Sequence, residues 1–287
     1  MSLFDELVAQ ALQSDNALGL VRRAVEKELL HHDILREMAH AGLLSNLVFI
    51  GGTCLRACYG APRLSEDLDF AGGLDFSPEG LSTLKPVLEN TMMEKYGLPV
   101  NVSEPVREGG NVSTWKLRIE TRPAAKHLPA QRVHVDVCAL PSHQARPSLL
   151  RNTYGVNMGT EGLIVQAQSR EEILADKWVA LAFRPNRIQY RDPWDILWLN
   201  RRGTNLDVAL LKRKLEDRQR EWTNFIDALS ERIEDLQHEP LHLLNFRKEM
   251  ERFLPVSEMR ETVHQPQYWS VLQLHLKDQL TTFDIEK

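Results

Sequence analysis

Little in this sequence is extreme, and each thing it lacks removes a class of protein. Cysteine is scarce: Cys54, Cys58 and Cys138 are the only three in 287 residues, and none stands in a CxxC pair. That excludes a disulfide framework and a zinc knuckle, and it fits reduced packing residues in an intracellular protein. Cys54 and Cys58 share a helical spacing of four, with no neighbouring His or Cys to complete a metal set. His31-His32 and the pair His238 and His242 equally lack a third ligand, so zinc is not indicated. No stretch approaches the roughly 20 apolar residues of a membrane span. The opening MSLFDELVAQ carries acids where a secretory leader has basic residues and an apolar run. A soluble, cytoplasmic chain is expected. Neither sign of charge dominates, since the net charge is −5 with 26% charged residues. Global charge therefore neither selects nor excludes a nucleic-acid partner, which needs only a local basic face. Repeats and low-complexity segments are absent as well.

What is present is a chain long enough for one large domain or two modest ones, with 43% hydrophobic residues to build a core. Residues 2–44 read as helices, with Leu20, Val21, Ala24, Leu29, Ile34, Leu35, Met38 and Leu43 spaced at mixed intervals that include three and four residues. The texture then changes. Leu47-Val48-Phe49-Ile50 is a short apolar run ending at Gly51-Gly52, a buried strand meeting a tight turn. Thr53 to Tyr59 reads as a helix opening from those glycines, stopped by Gly60-Ala61-Pro62. Leu68 and Phe70 alternate with Asp67 and Asp69, the period-2 pattern of a strand with one acidic face. A helix over Pro78 to Tyr96 follows, then strands at Thr114–Ile119 and Val133–Val137. From Arg170 onward the chain is helical almost throughout, with Ser169 and Glu172 at capping-box spacing. A mixed α/β core over 45–168 with helices on both sides is the result. Residues 1–168, including N-terminal helices 1–45, form one domain in this reading, and 169–287 a helical one.

The informative segment runs Gly51-Gly52-Thr53-Cys54-Leu55, then Tyr59, then Arg63-Leu64-Ser65-Glu66-Asp67-Leu68-Asp69-Phe70. Glycines between strand and helix let the backbone approach a ligand, and the helix start adds unpaired N–H groups suited to phosphate. Thr53 can cap that helix or bond a phosphate oxygen. Asp67 and Asp69, two apart on a strand, leave the same face. Close carboxylates repel unless a cation or proton intervenes, and Mg²⁺ is the natural cation, with Mn²⁺ the alternative. Asp136, among apolar neighbours in Val133–Val137, can add a third carboxylate from an adjacent strand. Three such groups can hold two metal ions, one activating a hydroxyl and one holding a triphosphate. Each element alone is commonplace, since a Gly-Gly is usually a turn and a strand aspartate usually meets solvent. Their order is what converges on one triphosphate. Ser65 serves a turn hydrogen bond or contacts substrate, and a phosphate added there would set negative charge beside the carboxylates.

Gly51-Gly52-Thr53-x-Leu55-x₃-Tyr59-x₃-Arg63-x-Ser65-x-Asp67-Leu68-Asp69-Phe70 resembles the signature of the AbiEii/AbiGii-type nucleotidyltransferase toxins, within the polymerase-β-like superfamily. Glu172-Ile173-Leu174-Ala175-x-Lys177, Arg187 and Arg191-Asp192-x-x-Asp195-Ile196 are similar to that family's lysine and aspartate motifs. The resemblance spans about residues 45–200, and the last 85 or so match nothing recognisable. It implies an α+β fold: an N-terminal polymerase-β-like mixed sheet with flanking helices, plus a C-terminal helical bundle, with NTP in the cleft. It also implies Asp67, Asp69 and Asp136 as metal ligands, and Gly51, Gly52, Thr53, Arg63 and Ser65 on the substrate side. Lys177 would contact the triphosphate, a role suited to a compact cation. The second essential aspartate is Asp192 or Asp195, with Asp192 favoured and Asp195 paired to an arginine. Arg191 is either that partner or a phosphate contact.

The family includes enzymes that modify tRNA acceptor ends. The resemblance therefore implies NMP transfer to RNA, a cognate antitoxin and a place in toxin–antitoxin or phage-defence systems. Basic residues Arg184, Arg187, Arg191, Arg201, Arg202, Lys212, Arg213, Lys214, Arg218 and Arg220, with Trp198 and Trp222, offer an RNA surface or else a solvated helical face. Two other functions share these residues: a small-molecule nucleotidyltransferase acting on an aminoglycoside-like acceptor, and a non-catalytic NTP-binding regulatory module. The preferred NTP, the acceptor, the antitoxin and the oligomeric state are not legible.

Overall fold

The structure is a computed structural model that describes residues 2–285 except 15, 106–109, 124–128, 186, 239 and 240. It divides into two compact units, Met1–Gln168 and Ser169–Lys287.

The first unit opens with α1 (Leu3–Ser14), a 3₁₀ turn (Asn16–Val21) and α2 (Arg22–His40). A seven-stranded mixed sheet follows. Its strands are β1 (Val48–Ile50), β2 (Leu68–Ala71), β3 (Val100–Ser103), β4 (Val112–Ile119), β5 (Gln131–Cys138), β6 (Ala145–Leu149) and β7 (Ile164–Gln168). They lie in the order β3-β4-β5-β2-β1-β7-β6. Helix α3 (Gly51–Tyr59) leaves β1 directly, and α4 (Leu84–Tyr96) lies between β2 and β3 in sequence. The helix read over Pro78–Tyr96 is in fact two pieces, a 3₁₀ turn at Pro78–Leu81 and then α4. Gly80 and Ser82-Thr83 interrupt it, residues that favour turns over helix interior. Three strands escaped the sequence reading: β3, β6 and β7.

Pairing decides which side chains share a face. β2 and β5 run parallel with Leu68 opposite Val135, Asp69 opposite Asp136 and Phe70 opposite Val137. β4 and β5 are antiparallel with Thr114 opposite Asp136, Lys116 opposite His134 and Arg118 opposite Arg132. One face is therefore Phe49, Leu68, Phe70, Trp115, Leu117, Val133, Val135 and Val137, none more than 1% exposed. Burial of that much apolar surface is the main stabilising term of the unit. The opposite face carries Asp69, Asp136, His134, Thr114, Lys116, Arg118 and Arg132, all half-buried or exposed. Side-chain alternation with period two produces this division, and it leaves the polar residues no choice of side.

The second unit is helical throughout: α5 (Arg170–Phe183), α6 (Arg191–Arg201), α7 (Val208–Glu216), α8 (Trp222–His238), α9 (Leu241–Met250), α10 (Val256–Glu261) and α11 (Tyr268–Ile285). The Ser169 hydroxyl accepts from the Glu172 amide and caps α5, as the capping-box spacing anticipates. Trp178, Trp194, Phe225 and Phe283 are fully buried and form its core. No helix among the described residues is long and apolar enough to cross a membrane.

Candidate active site

The glycine turn and the strand carboxylates come together. Gly51 has φ +75°, a left-handed conformation that glycine adopts without cost, and it starts α3 two residues earlier than the sequence suggests. A Cβ on Gly51 would lie 2.8 Å from Asp69 Oδ2. The backbone of the turn is thus in direct contact with the carboxylate, and the register that sets Ile50 opposite Asp69 explains why. A Cβ on Gly52 would lie 2.5 Å from Arg63 Nη2 and 3.2 Å from Ser65 Oγ. Arg63 is 2% exposed and donates to the Leu64 carbonyl, so its guanidinium underpins the turn.

Asp69 and Asp136 are direct neighbours across the parallel β2–β5 pair. Asp67 sits just before β2, where one carboxylate oxygen accepts the His134 amide at 3.0 Å and lies 3.5 Å from His134 Nδ1. Asp136 is the electrostatically unsettled member. Its carboxyl pKa is raised, chiefly by burial and further by Asp67, against the opposing effects of a Thr114 hydrogen bond and the His134 and Lys116 charges. Its Oδ1 is buried without a hydrogen-bond partner among the described residues. A buried, unpartnered carboxylate oxygen beside a second carboxylate fits a hard cation with oxygen ligands. Among the described residues no three His, Cys, Asp or Glu side chains close into a ready-made metal cluster.

Thr53 and Ser65 both lie inside the fold beside the turn. Thr53 is buried, and its hydroxyl donates to the Asp67 carbonyl rather than capping α3, where no side-chain cap is present. It ties the glycine turn to the entry of β2. Ser65 is 6% exposed and its amide donates to Glu28, so its hydroxyl is not open to modification in the folded chain. His134 and Thr114 were overlooked. His134 was within reach of sequence reasoning, being two residues before Asp136 and hence on the same face; Thr114 needed the β4–β5 register.

In the second unit Lys177, Asp192 and Asp195 form one cluster. Lys177 Nζ lies 2.9 Å from Asp192 Oδ1 and 2.7 Å from Asp195 Oδ2, both carboxylates being at most 2% exposed. Arg184 adds a two-pronged contact to Asp192 at 2.9 and 3.1 Å. Burial pushes the Asp192 pKa up, yet the charges of Lys177 and Arg184 outweigh it and the net shift is downward. Asp192 thus has an arginine partner, Arg184, beside Lys177. The Arg191 guanidinium faces Glu249 at 3.6 Å, bonds Gln189 and covers the Phe253 ring.

The basic stretch of this unit is largely occupied with its own packing. Lys214 is 2% exposed and paired with Glu172 at 2.8 Å and Asp176 at 3.2 Å. Arg218 pairs with Asp176, Arg220 covers Phe183 and Lys212 covers Trp222. The expectation that Lys214 lies on an RNA-binding surface is corrected: a helix-periodic lysine landed on the core side, where two carboxylates hold it. The histidines are structural too. His31 and His32 are buried, bonding the Glu66 carbonyl and the Thr160 hydroxyl, and burial lowers their pKa values to about 3 and about 4.

Neighbouring strand carboxylates and a glycine turn at a helix start thus meet on the polar face of a mixed sheet. The chain belongs to the AbiEii family of nucleotidyltransferase toxins: the family described as "Nucleotidyl transferase AbiEii toxin, Type IV TA system" matches residues 33–273. Membership makes it a nucleotidyltransferase with an NTP substrate and an antitoxin partner, in a family that generally works with divalent metal ions. Among solved structures the chain is similar to MenT4, a nucleotidyltransferase toxin from Mycobacterium tuberculosis H37Rv. Identity there is 16% over 96% of this chain and 98% of that one, with a TM-score of 0.58, a likeness of fold. JHP933 from Helicobacter pylori also matches, at 16% identity over 92% of this chain and 95% of that one, with a TM-score of 0.48. No curated protein sequence matches.

Proposed function

We propose that the chain transfers a nucleoside monophosphate from an NTP to the 3′ end of an RNA, with tRNA as the acceptor. In the reaction the acceptor hydroxyl oxygen bonds to the α-phosphorus, the bond from that phosphorus to the pyrophosphate breaks, and the hydroxyl proton is released. Asp69 and Asp136 are the pair that would hold the divalent ion, Mg²⁺ being the expected species, with Asp67 completing the set. Bound there, the ion supplies charge neutralisation for the triphosphate and the leaving pyrophosphate. The protein's own part is positioning. Gly51 brings backbone within contact of Asp69, Arg63 and Thr53 hold that turn in place, and Asp67 fixes the β2–β5 edge through the His134 amide. Within the helical unit Lys177 puts two of its three N–H donors on Asp192 and Asp195, which ties α5 to α6.

The single observation that carries this reading is the Asp69–Asp136 register with a buried, unpartnered Asp136 oxygen beside the glycine turn. The test is incubation of the purified chain with each α-labelled NTP, Mg²⁺ and total tRNA. Label is expected on tRNA and is expected to vanish with Asp69→Asn or with chelator. Labelling of a small molecule in place of RNA, or labelling that survives Asp69→Asn, would overturn it. In cells, expression is expected to arrest growth in the absence of the antitoxin, and Asp69→Ala to relieve the arrest.

A further inference from the structure

The sheet's polar face changes sign along its length. At one end are Asp69 and Asp136; two residues down β5 the pair is His134 and Lys116, and two further it is Arg132 and Arg118. Arg118 and Arg132 are both exposed and directly opposite one another on antiparallel strands, an arrangement that like charges disfavour. At that end α2 adds two more cations. Arg23, Lys27, Arg118 and Arg132, with Gln131 and Pro129, line a cavity of about 450 Å³, a size suited to a bound ligand. No carboxylate lines it. Lys27 reaches Glu66 at 3.0 Å and Arg118 reaches Glu120 at 2.7 Å, which leaves each further N–H donors. Among the described residues Arg23 and Arg132 have no carboxylate partner at all.

We infer that this four-cation cavity binds backbone phosphates of the acceptor RNA, upstream of the end that reacts. The inference rests on the proposed RNA acceptor and names where that RNA is held. Arg132 is four residues from Asp136 on one strand, about 13 Å at ~3.3 Å per residue. An RNA end at the carboxylates therefore lays its preceding phosphates toward the basic end of the same face. Guanidinium forks suit phosphate oxygens and read no base, so the site positions without selecting sequence. An anion there also relieves the repulsion between Arg118 and Arg132, which gives the exposed like-charge pair a physical reason to persist.

Free NTP has the same phosphate chemistry, and the experiment separates the two. Fluorescein-labelled total tRNA is titrated with the full chain carrying Asp69→Asn, so that no transfer occurs, between 50 and 200 mM KCl. The comparison is with the same chain also carrying Arg23→Gln and Arg132→Gln. Loss of two phosphate contacts is expected to weaken tRNA binding on the order of tenfold. It should flatten the slope of log K against log salt by about 1.4 to 1.8. NTP affinity, read by calorimetry, is expected to hold, and in the catalytically intact chain the defect should sit in KM for tRNA and not in kcat. Unchanged tRNA affinity and slope would overturn the inference, as would salt-insensitive tRNA binding by the parent. A parallel loss of NTP affinity would overturn it too, making the cavity a triphosphate subsite. Binding that depends on the two arginines without any nucleotide transfer would uphold the cavity and sink the proposed reaction. If the double variant melts early, Arg23→Gln alone, on the exposed side of α2, carries the same comparison with half the change in slope.

Discussion

Replacing Gly51 by alanine separates the backbone role of the turn from its effect on catalysis. At φ +75° an L-residue costs about 1–2 kcal/mol of backbone strain. A stiffer unfolded chain offsets about 0.4–1 kcal/mol of that, leaving about 1 kcal/mol. Gly97, at the end of α4, supplies the control: φ is +64° and nothing lies within 4 Å of a Cβ built there. Gly97→Ala therefore carries the strain alone. Gly51→Ala adds a contact of 2.8 Å with Asp69 Oδ2, where ordinary contact begins at 3.4 Å, so the carboxylate must retreat by at least 0.6 Å. A displacement approaching 1 Å in a positioned group costs on the order of 10²-fold in rate. Both variants are expected to lose about 2–4 °C in Tm, while only Gly51→Ala loses activity, by roughly 100-fold in kcat. The assay is transfer of labelled nucleotide at saturating NTP and Mg²⁺, alongside thermal melting. Equal activity in the two variants would refute the claim that the turn positions Asp69.

Four further outcomes follow from the same structure. Lys177→Met removes the cation that the buried Asp192 and Asp195 share, and is expected to cost about 3–5 kcal/mol by urea denaturation; a loss below about 1 kcal/mol would contradict the cluster. Lys214→Glu should unfold the helical unit, whereas the exposed Arg213→Glu should stay within about 0.5 kcal/mol of the parent; equal melting curves would return Lys214 to the surface. Because His31 and His32 are held near about 3 and about 4 against 6.5 unfolded, the unfolded chain binds more protons below pH 6.5. Stability is then full above 6.5 and is lost as pH falls toward 4, by about 1.4 kcal/mol per unit for each histidine, and His32→Gln should flatten that slope. For Asp136 the sign reverses, since a raised carboxyl pKa means the folded chain loses stability as pH climbs from 3.8 through the shifted value. Asp136→Asn is therefore expected to melt higher than the parent at neutral pH without metal, while losing all transfer activity; a lower melting point would count against the unsettled carboxylate.

The strands that carry the acidic residues were legible because their pattern is local. Asp67 and Asp69 alternate with Leu68 and Phe70, and His134 and Asp136 with Val133, Val135 and Val137, so each strand announces its two faces. Of the strands that escaped, β3 alternates over only four residues, Val100-Asn101-Val102-Ser103, and β6 and β7 lack a clean alternation. Every residue of β6 is half-buried or exposed and it contains Pro147, tolerated on an edge strand where its missing N–H goes unneeded. Registers were not legible either. That Arg118 stands opposite Arg132, or that Asp69 stands opposite Asp136, depends on pairing between segments far apart in the chain. The misreading of Lys214 has a related cause. Helical periodicity identifies an apolar stripe but cannot reveal that Glu172 and Asp176, about forty positions earlier, wait inside to receive a lysine.

Two aspartates in this chain show how burial and charge decide what a carboxylate is for. Asp192 and Asp136 both feel burial pushing the pKa upward, and the supply of cations decides which way each ends. Asp192 has Lys177 and Arg184 in contact and ends below the ordinary range, a charge already neutralised by the protein's own side chains. Asp136 has a threonine hydrogen bond, a histidine and a lysine nearby, opposed by Asp67, and ends above it with one oxygen unpartnered. A divalent cation placed at Asp192 would have to displace two tight ion pairs. At Asp136 it would instead satisfy an open oxygen and quiet a repulsion, while drawing off the proton that burial favours. On that reasoning metal affinity should rise with pH across the Asp136 titration and be little affected by Arg184→Gln. By this argument the charge deficit, more than the number of acids, is what would draw a cation to Asp136.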